Sequence, residues 1–253
     1  MTILKAIYNK VAGIRHQSRM DEELRVAAME GKQGRVEALL KEGAAINGAD
    51  GRGCTALHGA AQWGHPAIVK LLLDKGADPN IAESGGLAGT ALTRAAVNAH
   101  FDIVKMLVAA KADINATDYE KRTALHLAIQ VDREDIALFM LEAGTDVGTK
   151  SRLGETPLLD ALRKDMHDIA LGLAERDADA NVRDSEGFTV REWLIPKNWP
   201  DVLFAIDNPG VAKRRAEEKE RLTQEAFDTA IRTAPVLQSD ITVSRPLVLK
   251  PLS

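Results

Sequence analysis

The residues that could do chemistry in this sequence are six histidines, one cysteine and a glycine-rich run. His16, His58, His65, His100, His126 and His167 would suit a metal site or a general base, and Cys54 a nucleophile. A metal centre needs three or four ligands at fixed separations, and His16 and His167 have no such set around them in sequence. Cys54 has no base nearby in the chain, and no nucleophile motif surrounds any serine. The run Glu83-Ser84-Gly85-Gly86-Leu87-Ala88-Gly89 lacks the Gly-Lys-Thr/Ser ending of a phosphate loop and follows no strand pattern. The expectation is a chain with no catalytic residues, no metal and no cofactor.

The elements that hold these residues declare themselves by repetition. Leu24, Leu57, Leu92, Leu125 and Leu158 recur at separations of 33, 35, 33 and 33, and the column Asn47, Asn80, Asn115, Gly148, Asn181 follows the same arithmetic. A period of this size marks a repeat architecture. Each unit holds an Ala-rich run, such as Thr55-Ala56-Leu57-His58-Gly59-Ala60-Ala61, and a second apolar run, such as Ile68-Val69-Lys70-Leu71-Leu72-Leu73. Both have helical spacing. Thr55, Thr90, Thr123 and Thr156 stand where a hydroxyl caps the first helix, and Pro157 fits a first helical position. Gly43, Gly76 and Gly144 follow the second helices as left-handed terminators, and turn formers then reverse the chain in a hairpin-like finger.

On the segments Thr55 to His58, Gly64-His65, Ile68 to Leu73 and Gly76 to Asn80, the sequence resembles the ankyrin-repeat family, whose pattern recurs at Thr90 to Asn115, Thr123 to Gly148 and Thr156 to Asn181. The resemblance implies an all-α ankyrin solenoid of stacked helix-turn-helix pairs that works by binding protein. It also implies that His58, His126, His65 and His100 hydrogen-bond neighbouring turns. The expected organisation is a basic amphipathic helix over 1–20 and a repeat domain over 21–208. That domain has units 21–49, 50–82, 83–117, 118–150 and 151–183, with a truncated cap over 184–208. A helix and extended tail over 209–253 complete the chain. A solenoid of this kind is stable because each helix pair buries its apolar side on its neighbours. Phe188, Trp193, Trp199 and Phe204 are expected to close the carboxy-terminal end.

Departures from the pattern locate weak joints. Lys111 and Asp177 replace the terminating glycine, and Gly172 stands where other units have Leu71, Met106 or Phe139. Unit 151–183 is therefore the expected soft point.

The partner surface is expected on the concave face, where fingers and first helices leave residues unconstrained. It comprises Arg52, Gln62, Trp63, Val97, Asn98, Tyr119, Arg122, Gln130, Val131, Arg152, Leu153 and Arg163. Trp63, Val97 and Val131 are expected side by side as an apolar centre, with Arg52, Arg122, Arg152 and Arg163 as a basic rim. The longer finger around 83–89 is either a mobile loop or a partner-contacting tip.

Charge and composition narrow the function class. The chain has 253 residues, 45% hydrophobic and 4% aromatic, so Leu and Ala carry the core. Residues 1–20 carry +4, residues 209–253 carry +2, and the middle carries −10. An acidic body repels phosphate backbones, which argues against nucleic acid as partner. One cysteine fits a reducing, cytoplasmic setting, and monomer is the favoured state. The face Ile3, Leu4, Ile7, Val11 and Ile14, opposed by Lys5, Lys10 and Arg15, either folds over the first repeat or lies on an anionic membrane. The second option goes with a membrane-targeted or secreted effector that holds a protein in its repeats. The stripe Leu222, Ala226, Phe227, Ala230 and Ile231 and the tail from Pro235 either dock on the solenoid, engage a partner or stay unfolded.

Overall fold

The Leu24, Leu57, Leu92, Leu125 and Leu158 column is buried to 1% exposure or less at every position, which makes it the seam of the molecule. Burying each such side chain contributes about 1.5–3 kcal/mol. The computed structural model describes residues 2–84, 89–176, 178–210, 214, 218, 221, 222 and 225, with residues 2–15 as backbone. It divides into two compact units, Met1–Ala212 and Lys213–Ser253. In the second, Arg221 pairs with Glu218 and Glu225. The expected stripe beyond Leu222 and the tail from Pro235 lie outside the described residues.

Among its described residues the first unit has six helix pairs: α1 (Thr2–Met29) with α2 (Gln33–Glu42), α3 (Ala56–Gln62) with α4 (Pro66–Asp74), α5 (Ala91–Val97) with α6 (Phe101–Ala109), α7 (Ala124–Gln130) with α8 (Glu134–Glu142), α9 (Pro157–Arg163) with α10 (His167–Ala174), and α11 (Val190–Lys197) with α12 (Pro200–Asp207). Each odd-numbered helix packs on the next, and each even-numbered helix on the next, giving two rows. The chain is thus an all-α repeat solenoid. One boundary moves: α1 is a continuous 28-residue helix through Met20 and Asp21. Residues 2–20 extend the first repeat's own helix rather than fold over it as a separate one. Gly59 admits α1 closely, since a Cβ there would lie 2.5 Å from Met29 Cγ.

Threonine occupies the N-cap position of α3, α5, α7 and α9, but of the four expected hydroxyl caps only that of Thr156 is made, and Thr90 Oγ1 is buried without a partner among the described residues. Thr156 Oγ1 accepts from Leu159 N–H, and the His58 ring accepts from Thr55 N–H at 3.2 Å. Thr189 with Glu192 adds a reciprocal capping box in the last pair. Each finger is closed by one backbone bond at its base: Asp50 to Cys54, Glu83 to Gly89, Asp118 to Arg122, Ser151 to Glu155 and Asp184 to Phe188. Lys111 takes the left-handed conformation expected of it, at φ 63°, whereas Asp177 lies outside the described residues.

Side chains also tie successive units together. Asn47 accepts from Asp78 N–H at 2.9 Å, Asn80 from Asp113 N–H at 2.7 Å and Asn115 from Asp146 N–H at 2.8 Å. Between the helices of each pair, His65 meets the Met29 carbonyl, His100 meets the Gln62 carbonyl, and Arg133 donates to the Ala99 carbonyl. In the next unit both slots change, because Gly148 and Met166 have no side chain able to make these bonds. The joint before α9 and α10 therefore lacks two recurring ties. Gly172 weakens it less than the sequence suggests: Leu71, Met106 and Phe139 are only half-buried, so its slot is not a core position.

Candidate protein-binding face

The last residues of α3, α5, α7 and α9 are Gln62, Val97, Gln130 and Arg163, and the residues capping those helices are Trp63, Asn98, Val131 and Lys164. These are two parallel columns, offset by one position along each helix. Val97 therefore shares a column with Gln62, and Asn98 stands between Trp63 and Val131. The expected apolar centre of Trp63, Val97 and Val131 is not a contiguous row. The repeat spacing itself requires this, since Leu57 to Gln62 and Leu92 to Val97 are the same five-residue step, whereas Trp63 and Val97 are 34 apart rather than 35. Val97 instead lines a small cleft with Thr93, Arg94, Asn98, Asp118 and Leu127. Trp63 remains 57% exposed.

A second apolar group sits on the fingers. Tyr119 and Leu153 are exposed, and the Arg152 guanidinium lies over the Tyr119 ring at 3.9 Å. The two fingers are joined there, since Arg152 N–H donates to the Glu120 carbonyl at 2.8 Å. Arg52 is exposed, and its carbonyl accepts from Ser84 N–H on the following finger.

The basic rim is corrected by its partners. Arg122 is held by Asp118 at 2.7 Å and donates to Gln130 at 3.0 Å. Arg163 is shared among Glu155, Asp160 and Asp184 at 3.2, 3.8 and 3.5 Å. Of the four, Arg52 and Arg152 are exposed and have no carboxylate partner among the described ion pairs. The charges instead form an internal seam. Arg94 binds Glu83 and Gln62, Gln130 donates to Asp160 at 3.3 Å, and Trp193 Nε1 donates to Asp184 at 2.9 Å. Sequence reasoning missed Arg94, Glu83, Asp118, Asp160 and Asp184. The available signal was the column Asp50, Glu83, Asp118, Ser151, Asp184 at finger bases, where a short polar side chain braces the turn: Asp118 accepts from Arg122 N–H and Asp184 from Phe188 N–H.

Burial sets the protonation of this face. Asp160 is pushed up to about 6, chiefly by burial and then by Glu155, against the Gln130 hydrogen bond that lowers it. His126 is pushed down to about 4 by burial and is neutral. Burial likewise lowers His58 and raises the Cys54 thiol, so Cys54 is a poor nucleophile. His58 and His126 touch the Thr55 and Thr123 caps, as the family resemblance implies. Among the described residues no three His, Cys, Asp or Glu side chains gather as metal ligands, and no helix is long and apolar enough to cross a membrane.

Stacked helix pairs, one bond closing each finger, and a row of imidazoles and asparagines joining the units define a repeat protein in which each unit is fixed by its neighbours. The model of ankyrin repeats (three copies) matches residues 3–83 and 95–184, and the chain belongs to the ankyrin-repeat family. It is 32% identical over 132 residues to the nuclear factor NF-kappa-B p105 subunit of Gallus gallus, covering 51% of this chain and 13% of that protein. It is 35% identical over 101 residues to human ankyrin repeat and SOCS box protein 3, covering 40% of this chain and 20% of that protein. To the probable E3 ubiquitin-protein ligase XBOS33 of Oryza sativa it is 45% identical over 73 residues, or 28% of this chain and 14% of that one. The chain thus spans a minor part of the relatives it matches. Ankyrin repeats are in general protein–protein interaction modules.

Proposed function

We propose that this chain is a non-catalytic binding module that takes a partner protein on the face of its first helices and fingers, as scaffold, inhibitor or regulator. The observation that carries this reading is Trp63, a large ring 57% exposed at the end of a helix fixed on both sides by its neighbours. Tryptophan held rigidly at a surface is a common binding hot spot. Tyr119, Arg152 and Leu153 extend the same face onto the fingers, where inter-finger bonds limit the ordering entropy lost on contact. The proposed contact set includes Gln62, Asn98, Gln130 and Val131, with Arg122 and Arg163 acting through the seam.

Affinity capture with the full chain, the Trp63→Ala variant and a Tyr119→Ala/Leu153→Ala variant tests the reading. A partner bound by the parent is expected to weaken by about thirtyfold with Trp63→Ala, with the thermal midpoint unchanged within about two degrees. Undiminished capture by both variants, or a large fall in midpoint with affinity preserved, overturns it.

A further inference from the structure

The seam changes character at α9. Where α5 carries Arg94 the equivalent residue of α9 is Asp160, and where the third finger carries Arg122 the fourth carries Glu155. Two cation positions thus become carboxylates, while Gln130 is replaced by Arg163 one unit on. Asp184 is satisfied by Trp193 Nε1 and by the Glu186 and Phe188 amides. Glu155 and Asp160 are left with Arg163 as their shared guanidinium. Its distances to them, 3.2 and 3.8 Å, are long for charge-assisted bonds, which usually lie near 2.7–2.9 Å. Glu155 Oε1 accepts from Arg163 and from Ser185 N–H, whereas the buried Oε2 has no hydrogen-bond partner among the described residues.

The surrounding cations are committed elsewhere. Arg122 is bound by Asp118 and Gln130, and Lys164 by Asp132 at 3.0 Å. Buried carboxylates are stable when paired, and an unpaired one is strongly unfavourable. The rise of Asp160 to about 6 expresses the same deficit. Arg163 is 39% exposed, so the one guanidinium these carboxylates share lies between the seam and solvent. Residues 21–208 carry −10, so the approach of a cation is favoured from a distance.

We propose that the face between the end of α7 and α9 recognises an arginine of a basic partner segment, whose guanidinium enters beside Gln130, Glu155 and Asp160 and pairs with the unsatisfied carboxylate. The inference rests on the protein-binding reading and adds the chemistry of the partner. Arginine suits the site better than lysine, because its planar fork can engage two carboxylates while Arg163 keeps the third.

The test is a nuclear magnetic resonance titration of the full chain with an acetylated, amidated peptide of alternating glycine and arginine, against the same peptide with citrulline. Citrulline keeps the shape and removes the charge. The arginine peptide is expected to shift signals of Gln130, Glu155, Asp160 and Arg163, to lower the titration midpoint of the Asp160 carboxyl, and to bind at least tenfold tighter than citrulline. A Glu155→Gln/Asp160→Asn variant should lose at least tenfold. Equal response to the two peptides, shifts confined to other acidic surfaces, or undiminished binding by the variant overturns the proposal. The citrulline comparison uses the unaltered chain and holds even if the variant fails to fold. If a captured partner still depends on Trp63 while these arms fail, the binding face stands and only its preference for arginine falls.

Discussion

His126 shows how a residue with catalytic potential becomes structural. Its Nδ1 lies 2.9 Å from Thr123 Oγ1 and accepts from Thr123 N–H at 3.2 Å, while Nε2 faces the Glu155 carbonyl at 3.4 Å. Burial holds it neutral, with its folded-state value near 4 against 6.5 for an exposed imidazole. Because the folded value is depressed, the stability tied to the neutral ring is full above about pH 6.5 and is lost as pH falls towards 4. Acidification from pH 7.5 to 4.5 should remove roughly 2–3 kcal/mol through this residue alone. Denaturant unfolding of the parent and of His126→Gln at both pH values checks this; the variant should show a shallower loss. Asp160 works with the opposite sign, its raised value making the ionised form unfavourable as pH rises through about 6. The structural role of the imidazoles was legible because they recur at the repeat spacing. The seam was legible only in part: the finger-base carboxylates Asp118 and Asp184 recur at the repeat spacing, but no period reveals that Arg122 and Arg163 turn onto them or that Asp160 is buried beside Gln130.

At the scale of elements, what matters is which unit-to-unit ties are present. Asn47, Asn80 and Asn115 each accept an amide from the next unit, and Gly148 breaks the series before Asp179. A Cβ at Gly148 would meet its nearest neighbour, Asp146 Oδ1, at an ordinary 3.4 Å, and its φ lies outside the region that favours glycine. Gly148→Asn should therefore restore the tie and raise stability by about 1 kcal/mol, one net hydrogen bond. Equilibrium unfolding in urea, with an unchanged dependence on denaturant, measures it. The helix pairs, caps and fingers could be read from the sequence because threonine, proline and glycine occupy fixed slots. The left-handed turn inside each pair could not. Gly31 and Gly64 hold it in the first two units, but Ala99, Asp132, Asp165 and Asn198 adopt the same conformation in the rest. Such residues cost about 1 kcal/mol each, which neighbours in a stacked array can offset.

For the whole molecule, stability is a sum over units and the joints between them. The joint entering unit 151–183 lacks both the asparagine tie and the inter-helix donor, since Gly148 and Met166 fill those slots. Hydrogen exchange followed by mass spectrometry is expected to show α9 and α10 protected less than α5 to α8, and Gly148→Asn to narrow the difference. Protection of α9 and α10 at the level of α5 would contradict this. The period in the sequence sufficed to place the solenoid and, counted from Leu57 and Leu92, to put Val97 in the column of Gln62; the pairing of Arg94 with Glu83 and of Gln130 with Asp160 is what coordinates add.

The continuity of α1 has a mechanical consequence. A helix of 28 residues is about 42 Å long, and its final turns are clamped where Gly59 lets α3 press against Met29. Its leading turns are therefore a lever fused to the opening repeat, so a torque applied there is delivered to the solenoid without a hinge to absorb it.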